Sequence, residues 1–224
     1  MKSSTRRPWT SAQIPPLAEW VQENKAPLDL LVEAAARPRY FSPSPTFLDS
    51  RDESLYSMLL FPMQSLREAP RSLLVRAMFH LGEGRHAAAW QDLRACHRLA
   101  RLIATDATLV GQLVAIAMDG VAGKCTNVLL QDDSLGESQA QKILQDLQAM
   151  QRDSQVARAM DQRDRLFFLD AVIRLTYQKM NLSELMGLIG AGSGTAVDLV
   201  TSTQVDWNSV LREENRWYDR LVAA

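Results

Sequence analysis

Apolar positions along this chain recur at steps of three and four, and long alternating runs of Val, Ile or Thr are absent, so the pattern predicts helices and no sheet. The clearest stretch runs from Leu73 to Ala104. Leu73, Leu74, Ala77, Met78 and Leu81 make one apolar stripe, and Gly82 and Gly84 end it, because glycine takes up a left-handed C-cap without strain. A second stripe follows through Ala89, Leu93, Cys96, Ala100 and Ile103. Small side chains at Ala77 and Ala89 allow the two helices to approach closely, and the spacing predicts a helical hairpin.

The same pattern sets the other elements. Residues 1–13 are polar and expected to form a flexible N-terminus. Ile14 to Asn24 tolerates Pro15 and Pro16 in a first turn, and a helix from Pro27 to about Ala36 carries Leu28, Leu31, Val32 and Ala35, giving a first expected hairpin. Prolines then force an extended loop over 37–50. Arg51 to Phe61 reads as a short helix cut by Pro62, and Pro70 either opens or kinks the next helix. Asp106 is placed to cap a helix running to about Leu130 that is apolar nearly all round. It is expected to be the most buried helix, with Leu113 in its core. One strip on it is polar or small: Thr108, Gln112, Ala115, Asp119, Gly123 and Thr126. That strip faces either a groove or a partner helix with Asp119 bonded. Glu137 to Met150 makes a shorter amphipathic helix, and a longer one runs to about Met180 with Asp161–Arg165 and Asp170–Arg174 four apart. A Gly-rich connector at 187–195 precedes a last helix, capped by Asp206, whose Trp207, Val210, Leu211, Trp217, Tyr218 and Leu221 share a face. The expectation is one all-α domain over 14–224, an irregular bundle or short solenoid of antiparallel hairpins.

Two resemblances join this reading. The central hairpin resembles a tetratricopeptide unit, with Ala77 at the small position of the first helix, Gly84 at the turn, and Ala89, Leu93 and Cys96 following at the expected spacing. That repeat recurs every ~34 residues, a step that lands here on Met118 and Gly123, so the resemblance is to a single unit. Arg37–Pro43, Leu81–Leu102 and Asn215–Leu221 also resemble a family of uncharacterised planctomycete proteins, which implies a helical architecture and no particular chemistry.

Composition narrows the function classes. The 224 residues carry 25 Lys and Arg against 26 Asp and Glu, a net charge of −1, which gives no basic surface for nucleic acid. Two cysteines do not make a disulfide framework, and the basic start MKSSTRRPW lacks an apolar h-region, so a cytoplasmic chain is the default. Gln112 and Asp119 interrupt the most apolar helix, and no membrane span is expected.

Candidate chemistry is sparse. His80, His86 and His97 lack the spacing of a helical zinc pair, though the first two flank one turn with Glu83 between them. Cys96 and His97 are neighbours that point about 100° apart on a helix and share no proton. Gly187, Gly190, Gly192 and Gly194 are not followed by the Lys and Ser/Thr of a phosphate loop. No cofactor, metal set or catalytic residue is assigned. A line of guanidinium groups stands out instead: Gln91, Arg94, Arg98 and Arg101 follow one another at steps of three and four, a surface suited to carboxylates or phosphates. These arginines are not expected to be needed for stability. Arg39, Tyr40 and Phe41 in the extended loop add cationic and ring contacts. The reading is an interaction module for a protein or peptide; the alternative is a small-ligand protein or enzyme using the polar strip near Asp119.

Overall fold

The structure, a computed structural model, describes residues 7–40, 55–105, 108–150, 157, 161, 164–177 and 205–223, with the backbone alone over 55–67. Among these residues the chain forms eight α-helices and no strand. They are α1 (Pro15–Glu23), α2 (Lys25–Ala35), α3 (Leu55–Gly82), α4 (His86–Ala104), α5 (Leu109–Leu130), α6 (Glu137–Ala149), α7 (Arg165–Thr176) and α8 (Trp207–Ala223). Asp106, most of the extended loop and the Gly-rich connector lie outside the described residues.

Two compact units are set apart within the span expected as one domain. The first is drawn from Met1–Phe41, Gln64–Asp106 and Val110–Ser154, the second from Ser42–Met63, Ala107–Leu109 and Gln155–Ala224. In the first, α3 and α4 form the expected hairpin around the fully buried Leu73, Ala77, Met78, Ala89 and Leu93. Gly84 at the turn has φ +70°, which glycine adopts without a Cβ clash. Gly82 is needed for a different reason. A Cβ there would lie 2.1 Å from the carbonyl oxygen of Trp9. Trp9 is 3% exposed, stacks on Phe79 at 4.8 Å and donates its backbone N–H to the Met78 carbonyl, while Ser11 bonds Glu83. The segment expected to be loose is therefore docked from Trp9 onward, because an indole gains more from burial than the backbone loses in entropy.

Three other expectations are corrected. Only Asn24 separates α1 from α2, and its own helical bonds, Asn24 N–H to Trp20 and Leu28 N–H to Asn24, carry the chain through a bend instead of a hairpin. Pro62 does not cut a short helix off, and α3 runs through both Pro62 and Pro70, the longer of the two alternatives for Pro70. The third correction concerns Leu113 of α5, expected in the core and 58% exposed; of the two alternatives for the small and polar strip the inward one is found, with Gln112 and Ala115 fully buried and Thr126 3% exposed. Small residues let α5 come close to Ala100, Ile103 and Ala104 of α4, and the Gln112 amide is satisfied by the Ala104 carbonyl.

A buried ion cluster ties α2, α3 and α4 together. Arg76 places its Nε and Nη2 on the two oxygens of Asp92 at 3.0 and 2.7 Å and its Nη1 on Asp29 at 2.7 Å. Burial opposes charge on both Arg76 and Asp92, but the paired, fork-to-fork geometry is that of a guanidinium and a carboxylate. His80 lies alongside, with Nδ1 buried and unpartnered among the described residues, and burial followed by the charges of Arg85 and Arg76 lowers its pKa to about 4.

In the second unit, Arg165 of α7 reaches Asp219 at 2.6 Å and Asn215 at 3.2 Å on α8, and lies over the Tyr218 ring. Asp161–Arg165 and Asp170–Arg174 pair as expected, each at 3.0 Å. Asp206 caps α8, accepting from the backbone of Asn208 and Ser209.

Two outcomes follow from this packing. Leu93→Ala should lower stability by about 2–5 kcal/mol, whereas Leu113→Ala should change it by less than about 1 kcal/mol; urea titration of both variants checks the inward face of α5. The second concerns pH. His80 binds its proton less readily folded than unfolded, so it stabilises the fold above its ordinary pKa of 6.5, and that contribution is lost as pH falls towards about 4. Glu214, raised to about 7 by burial, has the opposite sign, stabilising below 4.5 and losing that as pH rises through 7. The His80 part is therefore read as a difference. His80→Gln should lose less stability than the parent between pH 7 and pH 4.5, by up to about 3 kcal/mol. Equal losses would show that His80 does not titrate this way.

Candidate functional site

The arginine row lies on α4 where two other helices end. Arg98 donates from Nε to the Ala35 carbonyl at 3.0 Å and from Nη2 to the Ala36 carbonyl at 3.3 Å, satisfying the open end of α2. Arg101 does the same for α6 through the Met150 carbonyl, and its Nη1 reaches Asp119 at 3.2 Å and the His97 carbonyl at 2.9 Å. The expectation that the row is dispensable for stability is thus corrected for these two. Backbone carbonyls at helix ends need donors, and a guanidinium supplies several at once.

Arg94 is different. Its Nη1 meets Asp146 of α6 only at 3.4 and 3.5 Å, and its Nε and Nη2 make no hydrogen bond among the described residues. Gln91 is exposed one turn before it.

Two open depressions follow this row. One, of about 370 Å³, lies between α2 and α4 with Val32, Ala35 and Ala95 on its apolar side, Gln91, Arg94 and Arg98 along α4, and Asp29 and Glu33 along α2. The other, of about 430 Å³, lies among α2, α4 and α6, with Arg37, Arg94, Arg98 and Arg101 around an apolar floor of Leu102, Ala149 and Met150. The structure thus brings together Gln91, Arg94, Arg98 and Arg101. Arg39 is exposed and Tyr40 half-buried, and neither lines these two depressions; Phe41 lies outside the described residues.

The polar strip near Asp119 resolves as the side facing a partner helix. His97 sets Nδ1 at 2.8 Å from Asp119 and Nε2 at 3.1 Å from the Thr126 hydroxyl. Hydroxyl, imidazole and carboxylate in that order match a nucleophile triad. The chain is closed, however: His97 and Thr126 are 4% and 3% exposed, and the hydroxyl is 3.0 Å from the Ala122 carbonyl. Burial also pushes the Cys96 thiol well above its ordinary value, which suits a core group and not a thiolate nucleophile. The histidines flanking the turn separate, His80 lying beside Asp92 and His86 bonding Asp132 and Ser134 at 3.2 Å. Bonds from Ser134 first, then His86, hold Asp132 down at about 2. No cluster of three or more His, Cys, Asp or Glu is disposed to hold a metal among the described residues.

Sequence reasoning missed Trp90 and Asp146. Trp90 Nε1 donates to Asp146 Oδ2 at 2.7 Å, so an indole on α4 fixes the one carboxylate that meets Arg94. The available signal was Trp90 one turn before Arg94; the partner on α6 has none. No protein-family model matches the chain, and no curated protein or solved structure is detectably similar to it.

The two kinds of arginine separate by mutation. Arg98→Ala should lower stability by about 1–3 kcal/mol, because two helix-end carbonyls lose a charged donor. Arg94→Gln should change it by less than about 0.5 kcal/mol, since a half-exposed pair at 3.4 Å contributes little. Thermal melts of the two variants decide; equal losses would mean that Arg94 is structural as well.

Proposed function

We propose that the chain is a helical interaction module that binds an acidic segment of another protein along the arginine row of α4, with no catalysis of its own. The observation that carries this reading is Arg94, a guanidinium with unused donors on the lining of two depressions, of which the one among α2, α4 and α6 combines an apolar floor with four arginines, while in the other Arg94 and Arg98 share the lining with Asp29 and Glu33. Peptide grooves combine apolar area for affinity with charge for register and capture rate. The likeness of the α3–α4 hairpin to a tetratricopeptide unit supports the same reading. A cytoplasmic site of action is part of it, since the buried free thiols of Cys96 and Cys125 suit a reducing compartment. α5 has the length and composition of a bilayer-crossing helix, with 39% of its most apolar window buried. Its inward Gln112, Asp119 and Thr126 bond with α4, which favours a core helix over a span. The second reading, a small-ligand protein or enzyme at Asp119, has the Thr126–His97–Asp119 chain in its favour and the burial of that chain against it.

A fluorescein-labelled decapeptide alternating Glu and Leu is a suitable probe, read by anisotropy. It should bind the parent, bind more weakly as salt rises above about 0.15 M, and lose about fivefold or more in affinity with Arg94→Gln. A Lys/Leu peptide should not bind. Equal binding of both peptides, or an Arg94→Gln variant that binds like the parent, would exclude this surface.

A further inference from the structure

Of the arginines in the row, Arg98 and Arg101 are committed to helix-end carbonyls, so selectivity in the groove falls to Arg94 and the one carboxylate it pairs with among the described residues, Asp146. That neighbour is unusual in how it is held. Asp146 has a short bond of 2.7 Å from the indole of Trp90, one turn before Arg94 on the same helix, while its contacts with Arg94 are 3.4 and 3.5 Å. A charge-assisted pair at its optimum sits at about 2.7–2.9 Å. The carboxylate is therefore anchored to the neutral donor and stands off from the charged one.

We infer that Asp146, restrained by Trp90, is a built-in competitor that sets the carboxylate selectivity of Arg94: it lends one face of the guanidinium a weak internal partner and leaves the Nε–Nη2 edge for a side-chain carboxylate of the bound segment. This rests on the reading of the row as a binding surface. The free edge is the one with two parallel N–H donors, the fork that a carboxylate takes up side-on. A ligand bound there breaks no existing bond of Arg94, but it does meet the charge of Asp146 across the same guanidinium. A weakly acidic or neutral segment is thereby given little advantage over water, and a segment needs both a carboxylate and apolar side chains for the Leu102 and Met150 floor.

Removing the competing charge tests this. With the Glu/Leu decapeptide as probe, Asp146→Asn should bind about two- to fivefold tighter than the parent, the scale of one partly exposed charge pair. The gain should vanish in the double variant Arg94→Gln/Asp146→Asn, because Arg94 is the group through which Asp146 acts. Asp146→Ala serves as a second variant lacking the charge and should show the same gain. If the parent binds with the expected salt dependence but Asp146→Asn and Asp146→Ala bind equally or more weakly, the competitor role is wrong while the surface stands. A gain that persists in the double variant would also overturn it, since the effect would then be a general field. Should both single variants unfold, Asp146 is a structural residue and the inference falls. If the parent does not bind the probe at all, the surface reading fails and takes this inference with it.

Discussion

The first unit depends on a single guanidinium in a place where charge is expensive. Arg76 is 6% exposed and Asp92 is 2% exposed, so both have left water, and only their mutual geometry makes this tolerable. Deleting one member of such a pair typically costs about 3–5 kcal/mol, because its partner is left charged and unmatched. The third donor is what matters for the rest of the molecule. By reaching Asp29, Arg76 fixes α2 over the α3–α4 hairpin, and α2 in turn brings its last carbonyls to Arg98 and one wall to each depression. The surface proposed for binding thus adjoins a buried ion cluster, whose Asp29 lines the first depression.

Much of the architecture was legible because apolar spacing and capping chemistry are written locally. The stripes of α3 and α4, the positive φ of Gly84, the Asp206 cap and the i,i+4 pairs of α7 all depend on residues within a turn or two of one another. The inward face of α5 was legible only as one of two alternatives, and Leu113 was misplaced in the core. Its wide apolar surface masks a strip whose value lies in being small, and the close approach it allows is a property of two helices, not one. Pro62 misled as well, since α3 runs through it. A proline removes one helical bond and adds a clash, and of the two alternatives for Pro70 the longer helix is found, with Pro70 buried and its carbonyl accepting from the Cys96 thiol at 3.6 Å.

The candidate site was legible as a row and illegible as an arrangement. Spacing placed Arg94, Arg98 and Arg101 on one side of α4, and the structure keeps them together. Which of them is engaged could not be read, since the partners of Arg98 and Arg101 are backbone carbonyls, identical in every residue and marked by no side chain. The Asp119 strip shows the converse. Composition left it open between groove and helix contact, and the imidazole of His97, which satisfies Asp119 and Thr126 at once, is the group that closes it.

The strap formed by Trp9 and Ser11 bears on how the fold is reached and lost. It closes a loop of 72 residues between Ser11 and Glu83, against 16 between Arg76 and Asp92 within the hairpin. The longer closure carries about 1.3 kcal/mol more entropy loss, which favours closing the hairpin before the strap reaches Gly82. Contacts that form after the folding barrier leave the speed of assembly nearly untouched and instead slow escape from the native state. The indole at the start of the chain is in this sense a latch on lifetime, visible in the unfolding limb of a chevron.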